Sequence, residues 1–329
     1  MKALNKFTRH LTTALGLALA AAGMAHAEGT VGTTFPEGFA VFDDASLGVP
    51  VIGFGSAGRA TRTPVVFLHG NNGTPYSTGC ERSSANIRAM AQYFADYGYS
   101  TSELWALGYQ GTQCDLNDQP ANASSYAHTA AANVVDLRKF VKAVLTSTGA
   151  TKVDIVAHGT AVALVREFAR QDNGVTYVRR LVAIEGANQG INICAAVTGN
   201  SWALAMMGGF TPRSPVCQEL GSPNTGFLKQ LNKTDRAIKG RDTLVIRNGD
   251  YSFLFRPGAD GIVAGAPAAV DSFGVPYDFS ESPRLPGAAE LVLTGQNAYD
   301  FMQGTAHVGI ANSPIAWQAA FTFLTAAKR

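Results

Sequence analysis

Residues able to move protons follow the apolar runs of the chain at the points where those runs end. His69 closes VVFLH, and the turn AHGTA (157–161) joins an apolar run to a helix-like run. Asp260 lies in RPGADGIV and His307 in GTAHVGIANSP. An imidazole paired with a carboxylate can take a proton from an attacking hydroxyl and return it to a leaving group. The sequence therefore predicts an acid and a base brought together by folding.

The turn AHGTA has the form of a sharp strand-to-helix connection. Such a turn needs small flanking residues because strand and helix approach closely, and Ala157 and Ala161 satisfy this. The residue at the apex of such a turn is held in a strained conformation that aims its side chain into the site. Gly159 stands at this apex, where a nucleophilic hydroxyl would be expected. Glycine relieves the strain but brings no attacking group.

Two backbone N–H groups are candidates for an oxyanion hole. The chain turns sharply after His69-Gly70, which leaves the N–H near Asn71 free to face the site. Thr160 follows the apex and begins a helix, where backbone donors and the helix dipole favour an anion. We therefore predict Asn71 and Thr160 as donors.

The acid and the base follow the apex in the order nucleophile, acid, base, which is one known order for such a triad. Asp260 and His307 are our candidates. Asp250 and Asp271 lie close enough in sequence to replace Asp260, and a solvated surface role for His307 is the competing interpretation.

The elements that must position these residues alternate between strand-like and helix-like runs. Continuous runs of Val, Ile and Leu are typical of parallel strands covered on both faces, so we predict an α/β layered sheet in a single domain, residues 28–329. Helical periodicity is clear at 134–145, at 161–168, and at 314–324, where Ser313 is the expected cap. The predicted strands are Ala40–Phe42, Pro64–Leu68, Ser100–Ala106, Lys152–Ala157, Arg180–Ile184, Thr243–Ile246 and Glu290–Leu293.

The stretch 194–240 interrupts this alternation. It is rich in Gly, Ala, Met, Phe and Pro and has weak periodicity. In α/β sheets, ligands bind at the carboxyl ends of the strands, and an insert that follows such an end lies beside the binding site. We interpret the stretch as a lid or apolar substrate wall, with a loop-rich packing insert as the alternative.

The first 27 residues resemble a secretory signal peptide. A basic head precedes an apolar run and an A-x-A site, so we expect cleavage after Ala27 and export to the periplasm or the medium. The full chain has 329 residues, of which 46% are hydrophobic and 15% charged. After residue 27 it contains no apolar run long enough for a membrane span. Loss of the three signal cations changes the formal charge from +2 to −1, which does not favour nucleic acid as a partner.

Four cysteines remain after that cleavage: Cys80, Cys114, Cys194 and Cys217. An even count in an exported chain suggests two disulfides, and proximity favours Cys80–Cys114 and Cys194–Cys217 among the three possible pairings. Free buried thiols are the alternative. No spacing is typical of a zinc site, so we expect no metal.

These motifs together resemble the secreted bacterial lipases and esterases of the α/β-hydrolase fold, and among them the extracellular poly(3-hydroxybutyrate) depolymerase group. The resemblance covers the chain from about Thr63 onward and rests on FLHGN, VDIVAH with VALVREF, LVAIEGANQGIN, ADGIV and AHVGIANSP. In that family the turn reads A-H-S-x-G, so the serine falls on Gly159 and the closing glycine on Ala161. The resemblance implies Asp260 and His307 as acid and base, and Asn71 and Thr160 as oxyanion donors.

Three functions remain open at this point. The chain could be an ester hydrolase, of lipase, esterase or polyester depolymerase type, whose covalent step is missing, naturally or as an inactivated variant. It could be a non-catalytic binder of a lipid, acyl chain or polyester surface. It could also hydrolyse esters with water or with Thr160, although a one-residue shift carries that hydroxyl off the apex. In each case we expect a monomer without a cofactor.

Overall fold

The computed structural model describes the chain in several stretches. These are residues 31–32, 34–39, 52–70, 75, 85–108, 130–171, 174–194, 214–234, 242–249, 252–253, 256–257, 270–294 and 306–327. Several predicted features lie outside the described residues: the signal peptide 1–27, the strand Ala40–Phe42, Asn71, Cys80, Cys114, Asp250 and Asp260.

A mixed sheet of seven strands forms the centre of the described structure, in the order β1-β3-β2-β4-β5-β6-β9. Every neighbouring pair is parallel except β1 with β3. Two short strands, β7 and β8, pair separately. The strands are β1 Ile52–Phe54, β2 Val65–Leu68, β3 Leu104–Gly108, β4 Val153–His158, β5 Val178–Ile184, β6 Thr243–Asn248, β7 Ser252–Phe253, β8 Arg256–Pro257 and β9 Ala289–Leu293.

Helices cover both faces of this sheet, which explains why β2 and β4 are buried along their whole length. One face packs Leu137 and Val165 into a large core, and the other packs Phe94 and Trp317 into a second core. The helices are α1 Ile87–Asp96, α2 Ala130–Thr148, α3 Thr160–Gln171, α4 Pro215–Leu220, α5 Gly226–Thr234, α6 Ala306–Ala311 and α7 Pro314–Thr325.

The six predicted strands that fall within the described residues all correspond to strands of the sheet, and the three helical patterns correspond to α2, α3 and α7. The predicted start of the third strand at Ser100 is wrong. Residues Thr101–Glu103 form a short 3₁₀ turn, because the Glu103 carboxylate accepts the N–H of Ser100 at 2.9 Å and closes a capping box. Ser313 precedes α7 as expected, but its side chain makes no capping hydrogen bond.

The described part of the stretch 194–240 is packing structure. Helices α4 and α5 bury Val216, Leu220, Leu228 and Leu231 against the start of α3. Cys194 and Cys217 form a disulfide, which confirms that predicted pair. Helices α4 and α5 thus pack against α3, while the lid or substrate wall over 194–240 stays a prediction, and 195–213 lie outside the described residues.

An ion pair between the buried Asp154 and the partly exposed Arg179 ties the amino end of the sheet to α7. Arg179 donates to both carboxylate oxygens of Asp154, and its guanidinium also donates to the Leu324 carbonyl oxygen at 2.6 Å. Arg180 donates to the Ala326 carbonyl at 2.7 Å. The two arginines therefore satisfy carbonyls at the end of α7 that the helix itself leaves without donors.

Removing Arg179 is expected to destabilise the fold strongly. Arg179→Ala leaves the fully buried Asp154 carboxylate without its partner. We expect a loss of about 3–5 kcal/mol in the free energy of unfolding, measured by urea denaturation. Arg284→Ala is the matched control, because Arg284 and Glu281 form an exposed pair. We expect about 0.5 kcal/mol or less there, and equal losses in the two variants would contradict this account.

Candidate active site

The turn after β4 has the strained geometry expected of a nucleophile position. Gly159 adopts φ +57°, a left-handed conformation that side-chain-bearing residues rarely adopt. Its N–H donates to the Ile184 carbonyl at 2.9 Å, and its carbonyl accepts from Val162 at 3.2 Å. Ala157 and Ala161 are both buried where strand and helix meet. The turn therefore presents residue 159 at the carboxyl edge of the sheet, between β4 and β5.

His307 lies directly against this apex. A Cβ atom placed on Gly159 would be 3.1 Å from His307 Nε2 and 3.5 Å from Cε1. Gly70 Cα, from the turn after β2, would be 3.7 Å away. His307 itself is buried, in the first turn of α6. Folding thus brings together three residues that are far apart in sequence, and the imidazole faces the position from which a side chain of residue 159 would extend.

His158 holds the backbone of His307 in place. The Nε2 atom of His158 lies 3.1 Å from the His307 carbonyl oxygen, and the two rings are 4.4 Å apart. Because a carbonyl only accepts, Nε2 carries the proton and the Nδ1 atom of His158 is an acceptor. Burial, together with repulsion from His307 and His69, lowers the pKa of His158 well below its ordinary value. His158 is therefore a neutral positioning residue.

Thr160 is the first residue of α3, as the oxyanion prediction requires. Its side chain is buried, and its Oγ1 atom makes no hydrogen bond with any described residue. The structure therefore places Thr160 beside the apex, but no hydrogen bond links the Thr160 hydroxyl to the imidazole of His307.

Asp271, which the sequence offered as an alternative to Asp260 for the catalytic acid, makes structural contacts in a turn. Its carboxylate accepts from Ser222 Oγ at 2.6 Å and from the N–H groups of Phe273 and Val275 at 2.9 Å each. This carboxylate is therefore committed to holding a surface turn.

Glu185 was not predicted as a site residue, yet it lies at the carboxyl edge beside the apex. It follows β5 directly, is fully buried, and has φ +43°, which no other non-glycine residue of the described chain approaches. Its N–H donates to the Ile246 carbonyl at 3.0 Å, and its carboxylate accepts the N–H of Asn248. Glu185 thereby clamps the ends of β5 and β6 together. An acid immediately after an apolar strand was the sequence signal that could have identified it.

The buried histidines predict a dependence of stability on pH. Burial lowers the pKa of His69 from 6.5 to about 4, although a bond to the Gly70 carbonyl opposes this. The unfolded chain therefore takes up this proton first. Between pH 6.5 and about pH 4 the unfolded chain is protonated at His69 while the folded chain is not, so the free energy of unfolding falls as the pH falls. Above pH 6.5 this loss of stability is absent.

We expect His69 to lower the free energy of unfolding by about 1.4 kcal/mol per pH unit as the pH falls across this window. Asp154 acts in the opposite direction, because burial raises its pKa to about 6. The measurement is therefore the difference in slope between the unsubstituted chain and His69→Gln, by urea unfolding at several pH values. Identical slopes would show that His69 is not buried in its neutral form.

Neither a metal cluster nor a membrane span is found in the part of the chain that the structure describes. No group of three or more His, Cys, Asp or Glu side chains in these residues is arranged to hold a metal ion. None of the described helices is both long and apolar enough to cross a bilayer.

Several solved structures are similar to this chain. The mature form of the lipase BlEst2 from Bacillus licheniformis matches with a TM-score of 0.50 and 17% identity, over 80% of this chain and 93% of that one. Phospholipase PlaB from Legionella pneumophila matches with a TM-score of 0.49 and 17% identity, over 81% of this chain and 60% of that one. The lin2722 product from Listeria innocua matches with a TM-score of 0.47 and 15% identity, over 82% of this chain and 96% of that one.

The seven-stranded sheet, its flanking helices and the match to mature BlEst2 confirm the α/β-hydrolase fold. The family model of lipase (class 2) matches residues 62–254, more than half of the chain. The matched residues include the turn after β2, the strand–turn–helix around Gly159, and β5 with β6. The chain therefore belongs to the class 2 lipase family.

Proposed function

We propose that this chain is an exported carboxylic ester hydrolase of the lipase, esterase or polyester depolymerase type that lacks its covalent step. Gly159 stands where the nucleophile of the family acts, His307 is the base, and Asp260 is the acid that orients it. The N–H groups of Asn71 and Thr160 form the oxyanion hole. The expected substrate is a hydrophobic ester.

The contact between Gly159 and His307 carries the proposal. A base must lie within hydrogen-bond reach of the hydroxyl that it activates. With Nε2 at 3.1 Å from a Cβ on residue 159, a hydroxyl one bond further out would be within that reach. A solvated surface role does not account for a buried imidazole in this position.

The two alternative mechanisms of turnover are less well supported. Thr160 makes no hydrogen bond to His307, so nothing in the described structure activates its hydroxyl. A water molecule activated by His307 would have no covalent intermediate. In a serine protease without its serine, a rate of only about 10³- to 10⁴-fold over water remains.

Binding without turnover is the second candidate for the chain as it stands. The imidazole of His307 already packs closely against Gly159, which leaves a compact site with no attacking group. In this candidate function the chain binds a lipid, an acyl chain or a polyester surface without hydrolysing it.

Export is proposed on two grounds. The first 27 residues have the pattern of a signal peptide. The disulfide Cys194–Cys217 fits an oxidising compartment. We further propose a single domain over 28–329, a monomeric state, and no cofactor.

The test compares turnover of a short-chain p-nitrophenyl ester by the chain as it stands and by Gly159→Ser. The proposal expects slow or no turnover in the first and a large gain in the second. Substantial turnover by the unsubstituted chain that His307→Ala abolishes and Thr160→Ala does not would instead favour water attack, and loss in both would favour Thr160.

A further inference from the structure

An exposed apolar turn lies between β8 and β9 in the chain. Residues 273–276, Phe-Gly-Val-Pro, are exposed one after another, and none of them is polar. Phe273 is 58% exposed and Val275 is 50% exposed. Six large apolar side chains are exposed in the described part of the chain, and two of them lie in this one turn. Exposing consecutive apolar residues to water is unfavourable, and such runs in natural proteins usually mark an interaction site.

The turn is held in one conformation rather than left loose. The buried Asp271 carboxylate accepts the N–H groups of Phe273 and Val275 at 2.9 Å each. The backbone adds bonds from Asp271 N to the Val275 carbonyl at 2.8 Å and from Gly274 N to the Asp271 carbonyl at 2.9 Å. Gly274, with φ +80°, supplies the left-handed residue that the turn requires. Because the chain is already ordered, burying its tip on binding costs little conformational entropy.

The anchors of the turn lie on the side of the molecule that carries the candidate site. Ser222 and Gly221, at the end of α4, bond the turn through Asp271 and Ser272. Further on, Ser282 donates to the Gly190 carbonyl at 2.5 Å. Gly190 belongs to the loop that leaves the carboxyl end of β5, and β5 borders the Gly159 turn. The turn is therefore anchored close to the loop that follows the carboxyl end of β5.

The charge of the turn selects the kind of partner. The stretch Ser272–Tyr277 contains no ionisable group except the Tyr277 phenol, and burial raises the pKa of that phenol. No basic side chain lies within 271–278, and the exposed Asp278 follows the apolar tip in the chain. An uncharged apolar surface could therefore bury Phe273 and Val275 without taking a charged group out of water. Droplets of a neutral hydrophobic ester have such a surface, and the family is a lipase family.

We propose that the turn 271–277 is an adsorption site that places this protein on the surface of an aggregated, uncharged ester. This rests on the proposed function for the identity of the surface. Phe273 and Val275 enter the apolar phase, and Asp271 keeps them aligned from beneath.

The experiment measures adsorption of the full-length chain, without turnover, to emulsified trioctanoin by centrifugation of the droplets. Phe273→Ser/Val275→Ser is expected to weaken adsorption by about 10- to 100-fold. The matched control is Val135→Ser/Ile315→Ser, which removes two side chains that are 42% and 41% exposed on α2 and α7. This control should adsorb like the unsubstituted chain. Thermal unfolding checks that both double variants are folded.

Three results would overturn the proposal: no adsorption by the unsubstituted chain, unchanged adsorption by the turn variant, or equal losses in the turn variant and its control. The proposed function is tested separately by adding the turn substitutions to Gly159→Ser. Hydrolysis of soluble p-nitrophenyl acetate should then be unchanged while hydrolysis of the emulsion falls. Failure of Gly159→Ser on both substrates would contradict the proposed function, while the adsorption result would still decide the role of the turn.

Discussion

Replacing Gly159 by serine is expected to raise the rate of ester hydrolysis by between about 10³- and 10⁶-fold, which reverses the loss seen when a triad serine is removed. The proposed base needs little movement, because His307 Nε2 lies 3.1 Å from the position of the new Cβ. That distance is shorter than an ordinary contact, so the imidazole must retreat by a few tenths of an ångström. The measurement is kcat/KM with p-nitrophenyl butyrate.

Gly159→Ala is the matched control for this gain. It adds the same Cβ and the same backbone strain at φ +57° but brings no hydroxyl. Both variants should lose about 1–2 kcal/mol in the free energy of unfolding, and only the serine variant should gain activity. A folded Gly159→Ser protein without activity would mean that the imidazole, the acid or the oxyanion donors do not form a working site.

Removing His307 from the Gly159→Ser protein is the second large effect. Without its base the new hydroxyl is a poor nucleophile at neutral pH, so kcat should fall by about 10⁴- to 10⁶-fold. The measurement is the same assay on Gly159→Ser/His307→Ala. The small remaining rate should not depend on which residue occupies position 159, since the serine and its base act as a unit.

Thr160→Ala in the same Gly159→Ser background provides the contrast. In the proposed site Thr160 acts through its backbone N–H, which alanine retains, so we expect the rate to change by less than about tenfold. A loss as large as that of His307→Ala would show that the Thr160 hydroxyl takes part in the chemistry.

The central strands could be predicted because strands buried on both faces are nearly continuous apolar runs in the sequence. Val65–Leu68 and Val153–His158 are apolar nearly throughout, and they lie next to each other in the sheet. The strand β1, Ile52–Phe54, was missed. It has only three residues, one of them glycine, and it forms at the sheet edge by antiparallel pairing with β3. Such pairing between distant residues leaves no pattern in the local sequence.

Helices α4 and α5 were missed for a related reason. Both are short, with six and nine residues, and both bury apolar side chains in the core next to α3. The disulfide Cys194–Cys217 additionally fixes α4. Sequence composition suggested a single loop-rich insert, whereas tertiary contacts decide which part of it becomes helical.

The candidate site was predictable where backbone geometry dictates residue type. The tight turn at AHGTA and the histidine after the last strand could both be read from sequence. The clamp formed by Glu185 and the support that His158 gives to His307 could not, since they depend on contacts between residues far apart in the chain.

The most direct test of the central claim is covalent labelling of the Gly159→Ser protein. Diethyl p-nitrophenyl phosphate transfers its phosphoryl group to an activated serine and releases p-nitrophenolate, and mass spectrometry of the peptides locates the adduct. An intact frame around Gly159 predicts one adduct, on residue 159, that forms rapidly and is lost in Gly159→Ser/His307→Ala. A folded Gly159→Ser protein that stays unlabelled, or is labelled equally without His307, would contradict the account.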